Sequence, residues 1–269
     1  MRREPAQHVA VRLGVDPHLR LVLLHRTHRH RTAHTAAAPV VVHIPHSATA
    51  LPDDFRAQLL FTDAELAEEL RLMTDHHTAE LASDVGRHGA TRMVNGWSRL
   101  AVDPERFLDP DAEEMESVGI GAVYTRTSQG RPLRELSPEH RADLFDRHFH
   151  PCHAALTELV AARIEQHGHC VLLDLHSYPS RALPYELHAA GPRPEVDIGT
   201  YGEHTPGWLR DLVAGVVTDA GFGYAENTVP DVSTSVDGRW CAGRGAVRTV
   251  LTAACHIRWS CPVGPAGPA

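Results

Sequence analysis

The sequence predicts a single α/β domain with a mainly parallel or mixed central sheet flanked by helices. Two apolar runs, Val40–Ile44 and 171–175, each have the length and the flanking turn residues of a buried strand. Longer segments with apolar residues at helical spacing lie between and after these runs, and such alternation is typical of α/β folds. The 269 residues are enough for one large domain with a full hydrophobic core.

The first strand and the helix after it have clear boundary signals. Pro45 ends the strand, because proline cannot donate to the hydrogen-bond ladder. Thr62 and Glu65 have the spacing of a helix-capping pair, and apolar residues then follow on one helical stripe. We therefore predict one long helix over residues 63–87, which would carry Asp75 near its middle.

The middle of the chain alternates strand, loop and helix. Residues 90–95 predict a strand, and residues 109–134, rich in acids and glycine, predict a long surface excursion. Ser137 and Pro138 are typical of a helix cap and a first helical position. A helix should therefore start here, be kinked or divided at Pro151, and lead into the central strand.

The last part of the chain predicts one more helix and two short strands. Residues 179–197 form a proline-rich loop, and Thr205 with Pro206 opens the helix. The strands are expected over residues 223–226 and 246–251. The apolar residues expected on the buried side of the helix are Trp208, Leu209, Leu212, Val213 and Val216.

Charge and composition argue against several classes of protein. With 26 Lys and Arg against 34 Asp and Glu, the net charge is -8, which disfavours a nucleic-acid surface and favours small-molecule substrates. No apolar run approaches the ~20 residues that span a bilayer. The N-terminus lacks the charged-then-apolar order of a secretory signal. We therefore expect a cytoplasmic protein with no membrane partner.

The cysteines and the two ends of the chain predict little chemistry. Five scattered cysteines, none in a C-x-x-C pair, indicate reduced thiols rather than a disulfide framework or a cysteine zinc site. Residues 25–34 form a histidine-rich tract, but the interspersed arginines would repel a bound cation, so metal storage is disfavoured. We expect residues 1–38 to be a flexible, basic, His-rich leader and residues 255–269 a disordered tail.

Polar side chains follow both of the predicted central strands. His46 and Ser47 come after the first, and Asp174, His176 and Ser177 end the second. Open α/β sheets bind ligands at the carboxyl ends of their strands, so the two histidines would meet at one edge, as a mononuclear metal site requires. Taken alone, either histidine would more often be a surface residue or a hydrogen-bonded core residue.

Three other charged residues allow two interpretations each. Asp75 would either project into a site from its helix or face water. Arg99 and Arg106 could clamp an anion, since guanidinium groups bind carboxylates in bidentate fashion, or they could form structural ion pairs. The sequence has no glycine-rich phosphate loop and no Gly-x-Ser-x-Gly elbow, so neither nucleotide binding nor serine hydrolysis is indicated.

Several short motifs share their order and spacing with one known family. They are Ile44-Pro45-His46-Ser47, residues 98–106, residues 174–180, residues 197–200 with 204–206, and residues 226–230. Together they resemble the N-formylglutamate amidohydrolase family, the deformylases of histidine breakdown, whose fold is related to the zinc exopeptidases. The likeness spans roughly residues 40 to 252, and the family domain would occupy residues 39–254.

The resemblance implies a metal-dependent hydrolase that cleaves N-formyl-L-glutamate to formate and L-glutamate. It implies that His46 and His176 are metal ligands and that Asp75 is the third. This set suits zinc, because two histidines and one carboxylate leave a fourth position open for water. Asp174 would orient a ligand imidazole. The substrate-binding residues would be Ser47, Arg99, Arg106 and Ser177.

The chain also departs from the family pattern. Ala79 and Tyr201 stand where the family has acids, and Ala253 stands where the last strand carries a glutamate that resembles a general base. The role of base would then fall to Glu226 or to no residue. The alternative function is therefore an impaired or inactive homologue that acts as a metal- or anion-binding protein. The oligomeric state stays open.

Overall fold

A seven-stranded mixed sheet forms the centre of the part of the chain that the structure describes. The computed structural model describes residues 21–23, 37–187, 192–200, 204–228 and 252–261, the first and last of these by their backbone alone. The strands are β1 (Leu21–Leu23), β2 (Val40–Ile44), β3 (Thr91–Asn95), β4 (Cys170–Pro179), β5 (Val196–Thr200), β6 (Tyr224–Glu226) and β7 (Thr252–Cys261).

The strands are arranged in the order β1-β3-β2-β4-β7-β5-β6. The strand β2 runs parallel to both of its neighbours, β3 and β4, and β4 runs parallel to β7. The strands β1 and β5 join β3 and β7 antiparallel, and β5 runs parallel to β6. The predicted α/β domain with a mainly parallel or mixed sheet is therefore confirmed.

Helices cover both faces of this sheet. Leu156 packs against Leu172 of β4, whereas Leu209 packs in a cluster that includes Leu173 of the same strand. Successive strand residues point to opposite faces, so the two helices that carry these leucines lie on opposite sides of the sheet. The helices are α1 (Asp53–Arg56), α2 (Asp63–Met73), α3 (Thr78–Leu81), α4 (Pro138–Leu144), α5 (His150–His167) and α6 (Gly207–Asp219).

The helix predicted over residues 63–87 is broken in its middle. The helix α2 ends at Met73, and His77 has a φ of 65°, which lies in the left-handed region that ends helices. At the break, the backbone N–H of Asp75 donates to the carbonyl of His46. Because the helix is broken here, the backbone of Asp75 lies at the end of β2. A continuous helix would have placed Asp75 elsewhere.

The predicted helix boundaries agree well with the structure. Thr62 accepts from the backbone N–H of Glu65 while the Glu65 side chain accepts from the backbone N–H of Thr62, which is a complete capping box. Ser137 caps α4, with Pro138 at its first position. The break predicted near Pro151 is also present, because a π-helical turn at Phe145–Phe149 separates α4 from α5.

Other predictions about the elements need correction. In α6 only Leu209 and Val213 of the five expected residues are buried, and Trp208, Leu212 and Val216 are exposed. The strand β1 lies within the segment expected to be a leader, and β7 extends through Cys261 into the expected tail. The strand predicted at 246–251 falls outside the described residues. None of the helices in the described residues could cross a membrane.

Candidate functional site

The structure brings His46, Asp75 and His176 together at one edge of the sheet. His46 follows the end of β2, His176 lies on β4, and the ring centroids of the two histidines are 5.3 Å apart. Asp75 reaches the same place because its backbone N–H donates a hydrogen bond to the backbone carbonyl of His46. All three side chains are buried. The three ligands implied by the resemblance therefore converge.

Asp75 faces the Nδ1 atoms of both histidines. Its Oδ2 lies 2.9 Å from Nδ1 of His176 and 3.6 Å from Nδ1 of His46. The same oxygen accepts from the backbone N–H of Ser177, at 3.3 Å. Burial by itself would raise the pKa of Asp75, but the hydrogen bond from His176 and the nearby imidazole of His46 outweigh it and hold the pKa well below its usual range.

Two further acids face the Nε2 atoms of these histidines. Oδ1 of Asp103 lies 2.8 Å from Nε2 of His46, and Oε2 of Glu105 lies 3.3 Å from Nε2 of His176. Glu105 is also 3.7 Å from Nε2 of His46. Each ring therefore lies between Asp75 on its Nδ1 side and another carboxylate on its Nε2 side. The sequence motif at 98–106 contains both acids, but their roles depend on how that segment turns.

A divalent cation has two candidate positions between these groups. One is the Nδ1 side, with Asp75. The other is the Nε2 side, where ligand atoms of His46, Glu105 and His176 lie within 4.8 Å of one another. Asp103 can only accept a proton, so the 2.8 Å bond assigns the proton of His46 to Nε2 and leaves the lone pair on Nδ1. Buried Nδ1 of His46 has no hydrogen-bond partner among the described residues. For His176 the same rule assigns the proton to Nδ1, which lies 2.9 Å from Asp75, so a metal on the Nδ1 side would displace that proton to Nε2. His46 thus favours the Nδ1 side, and the group of His46, Glu105 and His176 is the alternative.

The two arginines of the same segment bind protein carboxylates. Arg99 donates from Nε and Nη2 to Oδ2 of Asp103, at 3.1 and 2.8 Å, and Nη1 lies 3.4 Å from Oδ1 of Asp75. Arg106 is buried, with Nε 3.7 Å from Asp103 and Nη1 3.4 Å from Glu113. Arg106 thus forms the structural ion pairs that were the alternative interpretation. Arg99 reaches the candidate metal position itself.

Asp174 has a different partner from the one expected. Its Oδ1 lies 2.6 Å from Nδ1 of His43, and the two residues are directly opposite each other on β4 and β2. The carboxylate that contacts His176 on its Nδ1 side is Asp75 instead. The motif analysis missed His43, although its position three residues before His46 in a buried strand was a usable signal.

The acids of the site stabilise positive charge on the histidines. Burial disfavours the imidazolium form of His176, but Glu105 and Asp75 outweigh burial and raise its pKa to about 9. Burial also opposes the charged form of His43, yet Asp174 raises the pKa of this residue to about 10. Burial would raise the pKa of Asp103, but Arg99 and His46 hold it well below its usual range. Such an environment favours a bound cation.

Two residues considered for the general base do not reach the site. Glu226 lies exposed on β6, three strands away from β4, which is roughly 14 Å. Ala253 lies at the start of β7, in register with Val171, five residues or roughly 16 Å before His176. Position 253 therefore does not lie at the His176 edge. The structure does not place Glu226 there either.

The remaining residues have simpler positions. Ser47 is half-buried directly after His46, and Ser177 is buried beside Asp75. Ala79 lies in α3, where its carbonyl accepts from Arg92. Tyr201 falls outside the described residues.

Comparison with known proteins gives a consistent result. The family model of the N-formylglutamate amidohydrolases matches residues 38–232. A crystal structure of an N-formylglutamate amidohydrolase from Ralstonia eutropha JMP134 is 27% identical and has a TM-score of 0.69, with 84% of this chain and 82% of that chain covered. A search of curated proteins gives no match.

A second solved structure supports the fold alone. It is a gene product of Agrobacterium tumefaciens, 16% identical with a TM-score of 0.63, and the alignment covers 84% of this chain and 81% of that one. The family match extends over most of the chain and includes the three convergent residues His46, Asp75 and His176. The chain therefore belongs to the N-formylglutamate amidohydrolase family and is an amidohydrolase.

Proposed function

We propose that this amidohydrolase depends on a divalent metal, with zinc as the best fit, and cleaves N-formyl-L-glutamate to formate and L-glutamate. The observation that carries the proposal is the convergence of His46, Asp75 and His176 at one edge of the sheet. Family membership supports the reaction class, and a 27% identical structure described as an N-formylglutamate amidohydrolase supports the substrate. The resemblance to deformylases also supports a role in histidine breakdown.

The residues present suit a catalytic zinc ion. Two imidazole nitrogens and one carboxylate oxygen are a usual ligand set for such a site, and they leave a position open for water. Nδ1 of His46, buried and without a hydrogen-bond partner among the described residues, is the ligand atom that such an ion would satisfy. When bound, zinc would lower the pKa of its water toward ~7 and polarise the formyl oxygen.

The protein groups around this position have separate tasks. Asp103 accepts from Nε2 of His46 and so holds that imidazole in a fixed orientation. Arg99 lies next to Asp75, so we assign to it the binding of a substrate carboxylate. In the reaction, water adds to the formyl carbon, the C–N bond breaks, and the leaving nitrogen takes up a proton. We also assign substrate binding to Ser47 and Ser177.

A metal-binding protein with little or no turnover is the second candidate. It is favoured by one observation, that Glu226 and position 253 both lie far from His176. Loss of a general base commonly costs ~10²–10⁴ in rate, so an enzyme without one would be slow.

Formate release from N-formyl-L-glutamate tests the proposal. We expect the zinc-loaded protein to release formate, a chelator to stop the release, and added zinc to restore it. His46→Ala and His176→Ala should both lose zinc and activity. His169→Ala is the matched control, because His169 is exposed and contacts only the carbonyl of His167 among its hydrogen bonds. Full zinc binding without formate release would favour the second candidate, and activity in the chelated protein would contradict the metal.

A further inference from the structure

We propose that Glu105 is a positioning residue for the metal site. A metal on Nδ1 of His176 would displace the proton that this nitrogen donates to Asp75, and the proton would then lie on Nε2, where Glu105 would accept it. The buried pair of His43 and Asp174 lies close to Glu105. This inference rests on the proposed metal site at His46, Asp75 and His176.

The two histidines have acids on the same two sides but differ in their hydrogen bonds, because His46 donates from Nε2 to Asp103 at 2.8 Å whereas His176 donates from Nδ1 to Asp75 at 2.9 Å. In both rings Nδ1 faces Oδ2 of Asp75, and in both rings Nε2 faces an acid from the turn at residues 103–105. An imidazole that binds a metal through one nitrogen commonly donates its other N–H to a carboxylate, which fixes the tautomer and the ring orientation. Asp103 does this for His46, and Glu105 has the corresponding position for His176.

The turn that carries Glu105 is held rigidly. The backbone N–H of Glu105 donates to Oδ1 of Asp103, at 3.0 Å. One residue earlier, the carbonyl of Pro104 lies 2.6 Å from Nε2 of His153, and this ring stacks on Phe149 with centroids 4.0 Å apart. A carboxylate on such a turn has little freedom to move away from the histidines. Rigid support of this kind is what an orienting group needs.

The pair of His43 and Asp174 also lies close to Glu105. His43 is directly opposite Asp174 in the sheet, and alternation places Asp174 on the same face of β4 as His176. One ligand atom from each of His43, Glu105 and Asp174 lies within 4.8 Å of the other two. All three side chains are buried. His43 and Asp174 are therefore close neighbours of the Glu105 carboxylate.

The same distances could suggest that Glu105 is itself a ligand, so the test must separate the two roles. An orienting group and a ligand differ in what remains when the carboxylate is removed. Removing an orienting group weakens metal affinity, typically 10–100-fold, and leaves the ligand set unchanged. Removing a ligand changes the coordination sphere, which the visible spectrum of a cobalt-substituted protein reports directly.

The experiment measures the Kd for zinc by competition with a chelator and records the cobalt spectrum. We expect Glu105→Ala to keep one metal per chain, to weaken zinc binding about 10–100-fold, and to keep the positions of the cobalt bands. Glu105→Gln should have a smaller effect, because the amide oxygen can still accept from Nε2. The matched control is Glu69→Gln, since Glu69 is also buried but binds Ser128 instead of a histidine, and its zinc Kd should not change.

Several outcomes would overturn the inference. A zinc Kd in Glu105→Ala within threefold of that of the unaltered protein would mean that Glu105 orients nothing. Loss of the metal, or displaced cobalt bands, in a folded Glu105→Ala protein would make Glu105 a ligand. If Glu105→Ala does not fold, Asp174→Asn is measured in its place. Asp174→Asn should weaken zinc binding by a smaller factor, and an unchanged zinc Kd in this variant would contradict the proposal. An unaltered protein that binds no zinc would instead refute the proposed function together with this inference.

Discussion

Arg106 illustrates at the scale of one residue how the site is held together. Its guanidinium is buried between Asp103, which orients His46, and Glu113, which accepts from the backbone N–H groups of Phe107 and Met115. Arg106 therefore compensates part of the charge of two buried carboxylates, and Arg99 also compensates Asp103. Removing that cation leaves both carboxylates buried with less positive charge beside them. Breaking a buried ion pair by removing one partner is strongly destabilising.

We predict that Arg106→Met lowers the free energy of unfolding by about 3–5 kcal/mol. Urea denaturation measures this change. Arg210→Met is the control, because Arg210 pairs with Asp211 on the exposed surface and should matter little. An Arg106→Met protein as stable as the unaltered one, with poorer substrate binding, would instead restore the earlier view that Arg106 holds the substrate.

His153 provides a prediction about pH. Burial disfavours its charged form and lowers its pKa from 6.5 to about 4, although its bond to the carbonyl of Pro104 opposes this. Between these two values the unfolded chain binds a proton at this position and the folded chain does not. Stability from this group is therefore present above about pH 6.5 and is lost as the pH falls toward 4, by up to about 3 kcal/mol.

The variant His153→Gln should consequently lose less stability than the unaltered protein when the pH is lowered from 7 to 4.5. Thermal unfolding at a series of pH values measures the difference. The exposed His169→Gln serves as the control and should follow the unaltered protein. Parallel pH profiles for His153→Gln and the unaltered protein would mean that His153 titrates normally in the fold.

Some single residues were predictable from the sequence because they come directly after an apolar run. His46 and His176 each follow an apolar run, and this position already suggested a ligand site at the sheet edge. Asp103 and Glu105 could not be assigned in this way, because their roles depend on a turn that brings both acids behind the imidazoles. Asp174 was expected to orient a ligand imidazole, but its partner is His43 on the neighbouring strand, which only the strand register reveals.

At the scale of elements, the helix α2 contributes to the site through its two ends. Its start is fixed by the capping box of Thr62 and Glu65, and its end is followed at once by Asp75. We predict that Thr62→Ala lowers the free energy of unfolding by about 1 kcal/mol, because a backbone N–H at the helix start loses its acceptor. Thr157→Ala, on the exposed face of α5, should be neutral or slightly stabilising, since alanine is the better helix former.

Urea denaturation of both threonine variants provides the measurement. Equal stability for Thr62→Ala and Thr157→Ala would show that the capping box does not contribute in solution. The zinc content of Thr62→Ala should be unchanged, because the Thr62 side chain contacts Glu65 and none of the metal-site residues in the bonds described.

The elements that the sequence predicted best carry local signals. Caps at Thr62 and Ser137 depend on residues three positions apart, so a short window of sequence is enough to recognise them. The break after Met73 had no such signal, because neither glycine nor proline is present and His77 takes up the left-handed conformation. That break depends on the long-range bond between Asp75 and His46, which local sequence does not contain.

At the scale of the whole molecule, the site is formed by the sheet order. Because β2 and β4 are parallel neighbours, their carboxyl ends meet, and two histidines that are 130 positions apart in sequence come within 5.3 Å of each other by ring centroid. The sequence predicted this meeting because parallel pairing follows from the α/β class. It did not predict the place of β7, which pairs with β4 and β5 and puts Ala253 at the far end from His176.

The most direct test of the central claim is anomalous diffraction at the zinc absorption edge from crystals of the zinc-loaded protein. The proposed function predicts one strong peak bonded to Nδ1 of His46, Nδ1 of His176 and the carboxylate of Asp75. A peak bonded to the Nε2 atoms and to Glu105, or no peak near these histidines, would contradict it.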